Sequence, residues 1–309
     1  MMTKSRTALW PYVGTSIAWG STFGAYKVIQ HSFTPIGIGF GRCLIGAITL
    51  LLLLKRRSGA LPKGRSTWFH LGVVGFLAGV MPGVFVPFAE TKVTSVLAGL
   101  TAGMIPLTTL LFLVTVFREE HVHRHQIAGL LIGFVGILVV VGVWHGLGTN
   151  PWWAIVSLAA VIISYGLAFP YIKRYLSPRN IDPLSLATGQ QLMSALTLLP
   201  FFVFKGVSSA GVSTWPLIWL LFLGVFAGGF AFMWNFQTIA VWGSSVASTV
   251  EYTAALVAVL GGVIFLSEPL TWFEIVGGLI VLVGATIGWG QLRPEMFRRN
   301  RLKSESMSA

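Results

Sequence analysis

Charge is what this sequence has least of. Of its 309 residues only 10% are Asp, Glu, Lys or Arg, where a water-soluble domain of this size carries about 25%. With 55% hydrophobic residues and a mean hydropathy of +0.80 the chain cannot coat a soluble surface, which excludes a soluble globular enzyme. There is one cysteine, Cys43, so no intrachain disulfide forms and the redox compartment stays open. The Gly-rich run from Gly72 to Gly83 lacks the lysine of a phosphate-binding loop and lies in an apolar stretch, so ATP-driven transport would need a separate subunit. Paired acids, a zinc motif and a nucleophile arrangement are missing too, so the expectation is not an enzyme, and no cofactor is implied. His121, His123 and His125 alternate along a short turn, too weak a pattern for a metal site.

What the chain has instead is apolar length. Stretches able to cross a bilayer run over 8–29, 35–54, 67–89, 94–116 and 126–144, then 152–172, 183–204, 215–236, 245–266 and 272–289. At about 20 to 24 residues per crossing there is room for little else. The reading is an all-α integral membrane protein of ten transmembrane helices.

The net charge of +12, 21 basic less 9 acidic residues, would suggest nucleic acid if it gathered on one folded face. Here it gathers between the spans. With the N-terminus in the cytoplasm, inside segments hold 17 Lys and Arg, including Lys4, Arg6, Lys55, Arg56, Arg57 and the tail from Arg293. Outside loops hold 2, Lys92 and Lys205, and Lys27 and Arg42 lie within helices, which completes the 21. This bias places both termini in the cytoplasm, with the chain in the cell inner membrane against anionic headgroups and no nucleic-acid partner.

The chain also repeats. Shifted by 148 positions, Pro35, Gly41, Leu44, Ala47, Thr49 and Leu50 fall on Pro183, Gly189, Leu192, Ala195, Thr197 and Leu198. The same shift sets Glu120, Ile127, Gly129 and Gly136 on Glu268, Ile275, Gly277 and Gly284. At a shift of 146, Trp19, Gly20 and Lys27 meet Tyr165, Gly166 and Lys173. The expected units are a first five-helix repeat over 1–147, a second over 148–292 and a basic tail over 293–309. Because five is odd, the second repeat enters from the opposite face. Such inverted repeats are a recurrent device of secondary transporters.

The motif Trp19-Gly20-Ser21-Thr22-Phe23 with Lys27, then Arg42, then Ala98-Gly99-Leu100 leading to Pro106 and Glu120, resembles the EamA type of the drug/metabolite transporter superfamily. So does Phe265-Leu266-Ser267-Glu268-Pro269 before a Gly-rich last span. The resemblance implies a ten-helix, inverted-repeat exporter of amino acids or related metabolites. It departs at Ala254, which stands where Pro106 has its repeat partner, and at Glu90, which takes a usually small or apolar position.

An ionisable group inside a bilayer is costly unless paired or wetted, so each is a candidate. Arg42 lies roughly 10 Å below the outer surface by helical rise. Lys27 and Glu90 sit nearer that surface, and the three form a candidate outer gate. The alternative is that Lys27 snorkels and backbone carbonyls hold Arg42. Glu251 is the acid well inside a span, roughly 10 Å above the inner surface. Gln190 and Gln191 share that depth, with Asn235 somewhat nearer the inner face, and together they suggest the inner part of a pathway. Glu251 is a candidate for carrying a proton or accepting a substrate ammonium, and this depth count gives no direct pair with Arg42. Trp19, Thr22, Tyr26, Tyr165, Trp234 and Tyr252 are candidate walls of an amphipathic pocket, whereas tryptophans at span ends, such as Trp10, Trp144, Trp152, Trp215, Trp272 and Trp289, fit an interfacial belt.

The function expected is alternating-access export of small amphipathic metabolites, with amino acids, including aromatic or apolar ones, favoured. Its partners would be a small-molecule substrate, lipid and protons, working as a monomer or homodimer. The alternatives are a permease for drugs, cationic compounds or nucleobase-type metabolites on the same fold, a passive channel, and a non-transporting membrane scaffold.

Overall fold

Hydrocarbon offers no hydrogen bonds, so a chain this apolar must satisfy its backbone within each crossing segment, and the helix does so locally. The computed structural model describes residues 9–117, 124–142, 150–206 and 213–288, and no β-strand occurs among them. In chain order the helices are α1 (Leu9–Ile29), α2 (Pro35–Arg56), α3 (Arg65–Glu90), α4 (Ser95–Thr115) and α5 (Arg124–Val141). After these come α6 (Trp152–Arg179), α7 (Pro183–Lys205), α8 (Thr214–Ser248), α9 (Val250–Leu266) and α10 (Trp272–Gly288). At least six of them, α2, α3, α4, α6, α7 and α8, are long and apolar enough to cross a membrane.

Local chemistry starts these helices where the sequence changes. Thr34 accepts the Gly37 N–H at 3.2 Å with Pro35 in the first turn. At the position 148 residues on, Asp182 accepts the Ser185 N–H at 3.2 Å with Pro183 in the first turn. Both are N-caps followed by the residue that needs no N–H. Glu274 closes a capping box by accepting from the Thr271 N–H at 2.8 Å. The repeat extends to irregular backbone: α3 widens to a π-helix over Gly75–Val80 and α8 over Leu223–Phe230, starting 148 residues apart.

Equivalent helices pack against each other head to tail. Thr34, at the start of α2, donates to the Gly206 carbonyl beyond the end of α7 at 3.2 Å. Ser185, at the start of α7, donates to the Ala60 carbonyl beyond the end of α2 at 2.9 Å. Similarly α5 crosses α10 on glycines, because a Cβ on Gly284 would lie 2.5 Å from the Gly133 nitrogen and one on Gly277 2.5 Å from the Val140 nitrogen. Small residues let backbones approach where lipid supplies no hydrophobic drive. α1 lies along α9, tied by Ser16 to Thr253 and by Tyr12 to Thr249 at 3.1 Å.

The bundle is apolar outside and polar within. Phe204 and Phe265 are each 84% exposed, while Arg42, Glu90, Gln190, Gln191 and Glu251 are buried. Trp10, Trp152, Trp215 and Trp272 are exposed at helix ends, as a belt requires.

The expected spans agree with the helices to within a few residues except at α6, which runs on to Arg179 through a π-helical turn over Ile172–Leu176, and near α8, which runs on to Ser248 past a non-helical Gly243 with φ 84°. Composition hides the break at Gly243 because the residues on both sides are apolar. Lys4, Arg6, Glu120, His121, His123, Trp144, Trp289 and the tail 293–309 lie outside the described residues.

Gly284→Ala is expected to lower stability by about 1–3 kcal/mol through overpacking on α5. Gly261→Ala, whose added Cβ meets nothing within 4 Å, should hold or raise it. Thermal melting of the detergent-solubilised protein distinguishes the two.

Candidate functional site

The central cavity is built where helices of both sequence halves meet. Trp19, Thr22, Phe23 and Tyr26 of α1, Arg42 of α2, and Pro82 and Val86 of α3 line it. Opposite stand Thr101 and Ile105 of α4, Val161 and Tyr165 of α6, and Glu251 of α9. Its enclosed space is about 40 Å³, room for a few water-sized groups rather than a metabolite.

Arg42 sets the character of this space. Its Nη1 donates to Tyr26 Oη at 3.1 Å and its Nη2 to the Gly79 carbonyl at 3.3 Å. That carbonyl lies in the π-helix of α3, where the wider turn disturbs the regular ladder and leaves an acceptor for a side chain. The guanidinium also lies 5.9 Å from the centroid of the Phe232 ring, a cation–π contact. The close approach of α8 to α2 at this point depends on Gly228, where a Cβ would run into the Arg42 main-chain carbonyl. Nε has no partner, and among the described residues no carboxylate pairs with Arg42.

Glu251 faces the same cavity from the first turn of α9, 3% exposed, and no described residue hydrogen-bonds its carboxylate. Arg42 and Glu251 thus line one cavity without pairing directly. The apolar wall is aromatic: the Trp19 ring lies 5.7 Å from Tyr165 and 5.3 Å from Phe232, and its Nε1 donates to the Ala227 carbonyl at 3.2 Å, in the π-helix of α8.

Of the predicted pathway residues, Trp19, Thr22, Tyr26, Arg42, Tyr165 and Glu251 share this cavity. Gln190, Gln191, Trp234, Asn235 and Tyr252 do not line it. Gln191 donates to the Gly228 carbonyl of the second π-helix. Trp234 stacks on Phe230 and faces Gly14 of α1, and Tyr252 lines a separate, largely apolar recess with Leu100 and Glu274. Gln190 is fully buried with neither amide atom partnered, and Asn235 Oδ1 is likewise unpartnered. Thr101, Ile105 and Val161 escaped the sequence reading because apolar or hydroxyl residues inside an apolar run carry no distinguishing signal.

At the far end of α3 the predicted Arg42–Glu90 and Lys27–Glu90 pairs are not formed. Lys27 Nζ donates to the main-chain carbonyls of Glu90 and, at 2.6 Å, of Val93. A cation is well placed at a helix C-terminus, where carbonyls lack partners. The Glu90 carboxyl is 0% exposed and without a hydrogen bond. Close by, Glu268 from the link between α9 and α10 caps the start of α4: it accepts from the Ser95 N–H at 3.0 Å, the Ser95 hydroxyl at 2.7 Å and the Val96 N–H at 3.1 Å. Its negative charge meets the positive end of that helix.

A helical bundle with lipid-facing apolar surface and a charged, aromatic-walled cavity between its two sequence halves has the build of a membrane transporter. The chain belongs to the EamA-like transporter family, whose profile matches twice, over residues 7–142 and 152–288. It is 27% identical to an uncharacterized transporter of Archaeoglobus fulgidus over 87% of this chain and 94% of that one. To the uncharacterized inner membrane transporter YedA of Escherichia coli K12 it is 28% identical, over 89% of this chain and 88% of that one. To a probable terminal-alkyne amino-acid exporter of Streptantibioticus cattleyicolor it is 25% identical, over 92% and 94%. One solved crystal structure shares the fold with a TM-score of 0.70 at 17% identity, covering 94% of this chain and 99% of its own.

Glu268→Ala removes three hydrogen bonds to α4 and is expected to cost about 2–3 kcal/mol. Glu268→Gln, which keeps an acceptor but loses the charge, should cost less. Unfolding of the two variants in detergent measures the difference.

Proposed function

We propose that this chain is a ten-span exporter of two inverted five-helix repeats, with both termini cytoplasmic, that moves small amphipathic metabolites by alternating access. The head-to-tail packing of α2 on α7 and of α5 on α10 supports the inversion, and the basic bias of the inside segments supports the orientation.

One observation carries the choice of cargo: Arg42 and Glu251 line the same cavity without pairing with each other or with any described residue of opposite charge. Isolated buried charges are costly, so each gains from a ligand group of opposite sign. An amino acid brings a carboxylate for Arg42, an ammonium for Glu251 and a side chain for the wall of Trp19, Phe23 and Tyr165. A purely cationic drug answers Glu251 but leaves Arg42 beside a like charge, and an uncharged nucleobase answers neither. The name of the Streptantibioticus relative agrees with amino-acid cargo. The contracted cavity is then a conformation between openings, with Lys27 and Glu90 at the outer gate above Arg42. Glu251, which pairs with no described residue, is the group that exchanges a proton for the substrate ammonium.

A stabilisation screen across amino acids, nucleobases, sugars and cationic drugs should single out amino acids, and protection by cations alone would overturn that cargo. Arg42→Ala is expected to weaken amino-acid binding by about 2 kcal/mol or more, the scale for stripping one partner from a buried charge pair. In proteoliposomes, efflux by the parent should respond to a pH gradient and efflux by Glu251→Gln should not. Parent efflux indifferent to the gradient would remove proton coupling.

A further inference from the structure

The cavity is not symmetric about the repeat, and its asymmetry points to a second site. The shift of 148 that carries α2 onto α7 and α3 onto α8 places Gln190 on the position of Arg42. Arg42 is bonded and faces the cavity, whereas Gln190 is 0% exposed with neither Oε1 nor Nε2 hydrogen-bonded. A fully buried amide with no partner costs free energy and calls for a reason. Packing supplies none: Gln190 sits in the middle of α7, against the π-helix of α3, where a Cβ on Gly75 would come within 3.0 Å of its main-chain oxygen. An apolar residue of that size would fill the place without leaving polar atoms unmet.

The inverted image of the cavity explains it. Ile162 and Tyr165 of α6 line the present cavity, and the shift of 146 maps them back to Ser16 and Trp19 of α1. Thr101 and Ile105 of α4 map forward by 148 to Thr249 and Thr253. Of these image residues Ser16 is bonded to Thr253 and Thr249 to Tyr12, while Trp19 also lines the present cavity. When two equivalent halves exchange conformations, the closed image is the one that opens. We propose that Gln190 is the inward-facing counterpart of Arg42, sealed in this conformation and exposed to substrate when α1 and α9 part on the cytoplasmic side. This rests on the inverted-repeat, alternating-access reading. Gln190 then offers its amide to the same polar head that Arg42 holds as a cation. An uncharged group at the loading side suits it, since it holds substrate without the tight pairing that would hinder transfer toward Arg42.

The test uses the full-length protein with Cys43→Ala, carrying Gln190→Cys or, as a reference, Ser16→Cys, in membrane vesicles of either orientation. A membrane-impermeant methanethiosulfonate should label both cysteines about tenfold faster from the cytoplasmic face than from the outer face. If Ser16→Cys labels from the cytoplasmic face and Gln190→Cys does not, the assignment of Gln190 fails while alternating access stands. If neither labels from that face, or both label from the outer one, the alternating-access reading falls with it. Gln190→Leu, which packs without unmet polar atoms, guards against misfolding of the cysteine variant. It should fold at least as stably as the parent yet transport about tenfold more slowly. Unchanged transport would make Gln190 structural and overturn the proposal.

Discussion

A cation held inside a low-dielectric bundle, paired with no carboxylate among the described residues, is the constraint on which the rest of this structure depends. Arg42 is kept there by a phenol, a backbone carbonyl and a ring face, Tyr26, Gly79 and Phe232. None of these neutralises its charge. The Gly79 carbonyl lies where α3 widens to a π-helix, and α8 packs closely on α2 at Arg42 because Gly228 has no side chain. Glycine content, helix irregularity and the charged site are therefore one arrangement. The second π-helix, in α8, plays the matching part with its carbonyls accepting from Trp19 and Gln191.

Much of the fold is legible in the sequence because a bilayer imposes simple rules. Apolar length, turn chemistry at Thr34-Pro35 and Asp182-Pro183, and the register of 148 each have one physical meaning, and the helices start where those signals stand. The π-helices and the break at Gly243 are not legible, since they lie in runs that are apolar on every side. Arg42, Glu251, Trp19, Tyr26 and Tyr165 are legible as site residues because a polar or large aromatic group in such a run stands out. The pairing at the outer end is hidden: sequence shows Lys27 and Glu90 but not that Lys27 reaches carbonyls in preference to the carboxyl.

The two halves differ in chemistry where they match in shape. The position of Arg42 is a glutamine in the second half, and that of Glu251 is Gly103 in the first. An exchange of conformation between such halves changes not only which side is open but what the substrate meets there.

On the proposed reading, Arg42 and Glu251, unpaired among the described residues, are answered together by one zwitterionic ligand. Calorimetric binding of an amphipathic amino acid such as phenylalanine, compared with its carboxamide and its N-acetyl derivative, tests this most directly. Loss of affinity on capping either end is the result expected, by about tenfold or more for each. Equal binding of all three would contradict it.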